Sequence, residues 1–145
     1  MKIGIANDHH GVEIKQKLLN YLTDKGYDVV DMGANSSDNV DYVPYAFKVG
    51  ESIRDNEIDR GILICSSGIG MTIACNKIKK VRCAKIDNFS DAKTSRSHNN
   101  VNVISINSRL ELVWLYKMVD IFLETEFSNE ERHIRRNEMI DNYDN

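Results

Sequence analysis

The chain has 145 residues, 41% of them hydrophobic and 28% charged, which predicts one globular domain spanning residues 1–145 with a buried core. Its net charge of −3 argues against a dedicated nucleic-acid binder, because such proteins normally carry a basic field. Its apolar runs are far shorter than the roughly 20 residues that cross a bilayer, so we expect a soluble protein without a membrane partner.

Short β-rich runs alternate with helical stretches along the chain, the pattern of β-α-β units and a parallel sheet. Strands are predicted at residues 2–7, 28–32, 61–65, 82–86 and 102–106. The first helix is the clearest, because apolar residues recur at helical spacing from Val12 to Leu22 and Gly26 follows as a stop. We therefore expect a single doubly wound, Rossmann-like α/β domain with a five-stranded parallel sheet.

The C-terminal region contains two further predicted helices of different character. Residues 110–123 form an apolar core helix, whereas residues 129–142 are polar and have few apolar anchors. The second segment is predicted to be a solvated helix or a C-terminal helical arm. Between the first helix and the third strand, the polar stretch 36–41 predicts a loop, and Pro44 is the only proline in the chain.

The N-terminus and the cysteines indicate the compartment. Residues 1–8 contain a charge and only a few apolar residues before Asn7 and Asp8, unlike a secretory signal. The three cysteines are odd in number and lack a Cys-x-x-Cys spacing, so neither a disulfide framework nor a cysteine metal site is expected. A cytoplasmic protein with reduced thiols follows.

Ligand groups in an open parallel sheet lie beyond the carboxyl ends of the strands. The first strand runs into Asp8, His9, His10 and Gly11, where a carboxylate meets two imidazoles. The alternative is that Asp8 caps the first helix and the histidines are merely solvated. The segment alone does not distinguish a ligand-binding group from a helix cap with solvated histidines.

The third strand ends in Cys65, followed by the small-residue turn 66–70 that opens a helix. Backbone N–H groups at such a helix start attract anions and favour a reactive thiolate. The alternative is a buried core thiol, with Gly68 and Gly70 merely permitting a tight turn. Cys75 and Cys83 have no helix-start context and are predicted to belong to the core.

The remaining candidate groups lie further along the chain. His98 precedes the fifth strand, so it is predicted at a helix end, where it could simply satisfy the helix dipole. Arg109 follows the fifth strand, and Arg132 and Arg136 are one helical turn apart. By themselves these arginines resemble an exposed charged face.

Taken together, these segments resemble the family that contains ribose-5-phosphate isomerase B and the galactose-6-phosphate isomerase subunits. The resemblance covers essentially the whole chain, and the order and spacing of its motifs are specific although each motif alone is weak. It rests on residues 5–11, 61–70, 74–77, 97–99, 102–103 and 108–109 and on the Arg132/Arg136 pair.

The resemblance implies an aldose–ketose isomerase that interconverts ribose 5-phosphate and ribulose 5-phosphate through a cis-enediolate. Cys65 would be the base that moves a proton between C1 and C2, and His98 would help to open the sugar ring. Ser67 would hydrogen-bond the reacting oxygens, and the backbone N–H groups of Ser66, Ser67, Gly68, Ile69 and Gly70 would hold the enediolate.

The resemblance also implies the remaining binding contacts and the assembly. Asp8 and Asn99 would bind sugar hydroxyls, and the phosphate would be surrounded by His9, Arg109, Arg132 and Arg136. No metal or organic cofactor is implied. The protein is expected to be a homodimer, or a dimer of dimers, in which Cys65 of one chain meets Arg132 and Arg136 of the other.

Three residues depart from the family pattern. Ser66 stands where relatives often have glycine, Pro44 falls one place later than usual, and His10 adds an imidazole without an assigned role. Some relatives use as base a glutamate just after the second loop glycine, where this chain has Met71. Substrate length stays open between ribose 5-phosphate and a six-carbon sugar phosphate such as galactose or allose 6-phosphate. A non-catalytic flavodoxin-like binding module is the alternative from another functional class.

Overall fold

The structure, a computed structural model, describes residues 1–143 and contains a five-stranded, wholly parallel sheet in the order β2-β1-β3-β5-β4. The strands are β1 (Lys2–Asn7), β2 (Asp28–Asp31), β3 (Arg60–Cys65), β4 (Cys83–Ile86) and β5 (Val103–Asn107). The helices are α1 (Val12–Asp24), α2 (Val43–Arg54), α3 (Ile69–Cys75), α4 (Phe89–Asn99), α5 (Leu112–Glu124) and α6 (Glu131–Asp141). The predicted fold class is thus confirmed, and strand boundaries differ from the prediction by one residue at most.

Helices cover both faces of the sheet, so the central strands β1, β3 and β5 are buried on both sides and consist of nearly continuous apolar runs. The edge strands β2 and β4 are more exposed. One face packs against α1, α4 and α5 through a cluster that includes Ile62 and Ile64 of β3. The other face packs against α2 and α3 through a cluster that includes Leu63 and Cys65. Because side chains alternate along a strand, this register directs the Cys65 side chain toward α3. Met71 of α3 is fully buried in the same cluster.

The helix ends follow local chemistry. Gly26, just beyond α1, has a φ of +90° and its N–H bonds Thr23 O, so the predicted glycine stop is confirmed. Pro44 lies in the first turn of α2, where a missing N–H costs no helical bond. Asn100 ends α4 in the left-handed conformation, with a φ of 44°.

The polar C-terminal segment forms α6, which packs beside α4 rather than on the sheet. Arg82 joins its end to the sheet through an ion pair with Asp141, with Nη1 2.5 Å from Oδ1. Within residues 1–143, no helix is both long and apolar enough to cross a membrane.

Candidate active site

The carboxyl ends of β1, β3 and β5 lie side by side and are joined by backbone hydrogen bonds. Asp8 N donates to Ile64 O at 3.0 Å, and Ser108 N donates to Cys65 O at 2.9 Å. The loops after β1, β3 and β5 therefore start next to one another at the carboxyl edge of the sheet. The strand that follows β1 in the chain, β2, lies on one side of β1, and β3 lies on its other side. Open α/β sheets bind ligands at such a point, where the strand order reverses.

Cys65 is the last residue of β3, and its side chain is buried with 4% exposure. The N–H of Gly68 donates to Cys65 Sγ over 3.0 Å. Gly68 precedes α3 with a φ of +79°, a conformation that glycine adopts without strain. The turn thus places the N–H of Gly68 against the sulfur, which is the atom that would carry the negative charge of a thiolate.

A buried serine of β5 forms a hydrogen bond with the loop after Cys65. Ser105 of β5 is fully buried, and its Oγ donates to Gly68 O at 2.9 Å. Thr72 Oγ1 donates to the same carbonyl at 2.7 Å. Sequence reasoning did not single out Ser105, although a lone hydroxyl within an apolar strand was an available signal.

Tyr42 covers the other side of this loop. A Cβ on Gly70 would lie 2.5 Å from Tyr42 Cζ, so only glycine allows the ring to pack this closely. Tyr42 keeps 39% of its surface exposed, and it comes from the segment before α2. The shifted Pro44 lies two residues after Tyr42, but the contact of this ring with the Cys65 loop was not predicted from the sequence.

Asp8 and His9 lie at the same edge, in the turn after β1. Asp8 is buried, and its Oδ1 accepts a hydrogen bond from His10 N at 2.9 Å. The alternative that Asp8 caps α1 is wrong, because Gly11 is the N-cap residue and the Asp8 carboxylate is used within the turn. His9 Nδ1 accepts a long, 3.4 Å bond from Val40 N.

Arg109 completes this first group of predicted site residues. It is exposed just beyond β5, and its N–H donates to Asn107 Oδ1 at 2.8 Å. Because Asn107 is in register with Cys65, the turn that carries Arg109 starts beside the thiol. The residues of this carboxyl-edge group are Asp8, His9, Cys65, Ser66, Ser67, Gly68, Ile69, Gly70 and Arg109.

His98 and Asn99 lie at the opposite edge of the sheet. They occupy the last turn of α4, as predicted for His98, and the 11 residues of α4 span roughly 16 Å from the carboxyl edge back to the amino edge. Asn99 O accepts from Arg82 Nε at 2.9 Å, and Arg82 directly precedes β4. One chain therefore does not bring His98 or Asn99 to Cys65.

Arg132 and Arg136 belong with His98 rather than with Cys65. They are exposed on α6, and Arg132 Nε pairs with Glu130 Oε2 at 2.8 Å. Between them, His133 stacks on His98, and Asn137 Nδ2 donates to His98 O at 3.3 Å. These contacts make His98, Asn99, Arg132 and Arg136 a second, amino-edge group.

Burial lowers the pKa of His133 below its usual range, and the neighbouring positive groups of His98, Arg132 and Arg136 act in the same direction. His133 Nδ1 lies 2.8 Å from Ser128 Oγ. His133, whose ring stacks on that of His98, was not among the residues predicted from the sequence.

Comparison with known proteins places this arrangement in a family. The ribose/galactose isomerase family model matches residues 3–140. Ribose-5-phosphate isomerase B of Escherichia coli is 37% identical, over 96% of this chain and 93% of that protein. Among solved structures, ribose 5-phosphate isomerase of Thermotoga maritima superposes with a TM-score of 0.93 at 44% identity, covering 97% of each chain.

A further solved structure is ribose-5-phosphate isomerase B of Mycoplasma genitalium with bound ribulose 5-phosphate. It superposes with a TM-score of 0.94 at 38% identity, covering 98% of this chain and 95% of that one. The family model reaches from β1 to α6. The chain therefore belongs to the ribose/galactose isomerase family and is a sugar-phosphate isomerase of the ribose-5-phosphate isomerase B type.

Proposed function

We propose that this protein interconverts ribose 5-phosphate and ribulose 5-phosphate through a cis-enediolate, with Cys65 as the base. The observation that carries the proposal is the Cys65 sulfur at the end of β3, which accepts a hydrogen bond from Gly68 N–H beside the Asp8–His9 turn. Aldose–ketose isomerisation needs a base within hydrogen-bond reach of the carbon acid, and a Cys65 thiolate at the carboxyl edge of the sheet would meet that need.

The loop after Cys65 supplies donors for the charge that develops on the substrate oxygens. Ser67 Oγ accepts from Ile69 N at 3.2 Å, so its own hydrogen can be donated to a reacting oxygen. Donors held in place before the reaction stabilise an enediolate without reorganisation. In this mechanism, the thiolate takes the proton from C2 of the aldose and returns it to C1.

The two separated groups support an active site shared between subunits. A two-fold dimer would bring the amino-edge group of one chain to the carboxyl-edge group of its partner and generate two identical sites. Exposed apolar side chains accompany both groups: Ile69 and Ile73 on α3, and Ile134, Met139 and Ile140 on α6. Burial of these residues in a dimer would remove apolar surface from water.

In such a site, the partner's amino-edge group contributes ring opening and phosphate binding. His98 would shuttle the proton between the ring oxygen and the anomeric hydroxyl, and Asn99 would join Asp8 in binding sugar hydroxyls. Arg132 and Arg136 would meet His9 and Arg109 around the phosphate, since guanidinium groups bind phosphate with charge-assisted hydrogen bonds.

The relatives' names favour a five-carbon substrate, as all three are named for ribose 5-phosphate and one of them contains bound ribulose 5-phosphate. An isomerase of galactose or allose 6-phosphate is the second candidate, because Ser66 and the shifted Pro44 depart from the family pattern and leave substrate length open. The cytoplasmic location expected from the sequence stays a prediction.

Two measurements test the proposal. The value of kcat/KM should be highest for ribose 5-phosphate among the three sugar phosphates, and a higher value for either hexose phosphate would reassign the substrate. Cys65→Ala should abolish isomerisation while the far-UV circular dichroism stays unchanged. Retention of more than a small fraction of kcat by a folded Cys65→Ala variant would exclude Cys65 as the base.

A further inference from the structure

The turn after β1 contains an imidazole that the isomerase mechanism does not use. His10 is exposed, its ring centroid lies 4.0 Å from that of His9, and its N–H bonds the Asp8 carboxylate. One ligand atom each from Asp8, His9 and His10 lie within 4.8 Å of one another. Two imidazoles and a carboxylate thus converge at the mouth of the candidate active site.

We propose that Asp8, His9 and His10 form a binding site for a divalent transition-metal ion of the Zn²⁺ type, and that the bound ion competes with the sugar phosphate. The competition rests on the proposed function, whereas the binding of the ion does not.

The donor set selects the class of ion. Imidazole nitrogens suit Zn²⁺, Ni²⁺ and Cu²⁺, whereas Mg²⁺ and Ca²⁺ prefer oxygen ligands throughout. Zn²⁺ takes four ligands, so three from the protein would leave one position for water or a substrate oxygen. The Asp8 carboxylate would offset part of the charge of the ion.

Small movements are enough to close the site. Ligand atoms around a tetrahedral Zn²⁺ are roughly 3.3 Å apart, given bonds of about 2.0–2.1 Å. The exposed His10 ring can approach by side-chain rotation. If His9 binds the ion through Nε2, its proton moves to Nδ1 and the long contact from Val40 N is given up.

The same geometry explains why the ion would inhibit the reaction. The proposed mechanism assigns Asp8 to a sugar hydroxyl and His9 to the phosphate, so an ion held by both withdraws two substrate contacts. His10 has no contact assigned in that mechanism. It can therefore be removed to separate metal binding from catalysis.

Isothermal titration of the metal-free 145-residue chain with ZnCl₂ in phosphate-free buffer tests the binding. The unmutated protein should bind one Zn²⁺ per chain at this site, and His10→Ala should weaken binding by more than the roughly 10- to 100-fold that loss of an outer-shell partner costs. Two controls should retain binding: Cys65→Ser, which removes the nearby thiol, and His98→Ala, which breaks the other histidine pair. Absence of Zn²⁺ binding, or binding lost in either control but retained in His10→Ala, would overturn the proposal.

Steady-state kinetics with ribose 5-phosphate test the competition. Zn²⁺ should raise KM without changing kcat in the unmutated enzyme, and His10→Ala should keep the metal-free kcat/KM but lose this sensitivity. Equal inhibition of both enzymes would show that Zn²⁺ acts elsewhere. A protein that binds Zn²⁺ through His10 yet isomerises none of the sugar phosphates would contradict the proposed function and leave the metal site standing.

Discussion

The ring of His98 lies against the ring of His133, with centroids 4.3 Å apart and planes 28° from parallel. This pair joins the last turn of α4 to α6, so His98 lies at the same edge of the sheet as Arg132 and Arg136. It also places an imidazole with a lowered pKa directly against the group proposed to open the sugar ring.

The buried His133 should make stability depend on pH. Because its pKa is lowered in the folded state, the unfolded chain binds more protons, and stability falls as pH drops from about 6.5 through the folded pKa. Chemical denaturation at pH 7.5 and 5.5, at constant protein concentration, should show this loss, and His133→Gln should reduce it. An unchanged pH dependence in His133→Gln would assign the effect to other groups.

Ser105 should position the catalytic loop. Ser105→Ala removes the hydrogen bond to Gly68 O, so we expect about 1 kcal/mol of lost stability and a lower kcat with little change in KM. Ser52→Ala is the matched control, because this buried hydroxyl bonds Glu57 at the far end of α2. It should lose similar stability and keep its kcat. Equal kcat values in the two variants would show that the Ser105 bond is only structural.

Arg136 should contribute to phosphate binding. Charge-assisted bonds to phosphate are worth roughly 1.5–3 kcal/mol, so Arg136→Ala should lower kcat/KM by about tenfold or more. Arg135→Ala removes the same charge from the adjacent exposed position and should have little effect. If both variants lose activity equally, the overall charge of α6 rather than a specific contact is responsible.

Mixing two impaired variants should test the shared site. Cys65→Ala and Arg136→Ala affect different edges of the sheet, so after random subunit exchange half the dimers carry one intact site, and activity should rise above that of the unexchanged mixture to about a quarter of the unmutated level. Cys65→Ala mixed with Arg109→Ala is the control, because both residues lie at the carboxyl edge and every site then keeps a defect. Recovery in neither mixture, once exchange is shown independently, would exclude the shared arrangement.

The sequence predicted the three central strands well because each is a nearly continuous apolar run that is buried on both faces, and it indicated the edge strands β2 and β4 through short β-rich runs between helices. It also placed His98 at a helix end and Cys65 at a strand end, since alternating elements of this kind fix the edge at which each residue lies. The role of Asp8 at the helix start was predicted less well. Capping depends on where the helix actually begins, and Gly11 takes that position after a turn that uses the Asp8 carboxylate itself.

Contacts between distant segments could not be predicted from one sequence. Nothing near Tyr42 indicates that its ring packs on Gly70, and nothing in α4 indicates that His98 would stack on His133. Both contacts depend on how the helices pack on the sheet, and this packing is determined by the whole core rather than by the sequence pattern of one segment.

The burial of Met71 restricts how this active site could evolve. Relatives that lack the cysteine place a glutamate base at this position, but here the Met71 side chain is fully enclosed by apolar groups beneath the loop. A glutamate introduced alone would be buried among apolar groups, and this burial disfavours its charged form. If Cys65 is the base, as proposed, its exchange for a glutamate at position 71 therefore needs more than one substitution, because the apolar packing that encloses Met71 between α2 and α3 must change as well.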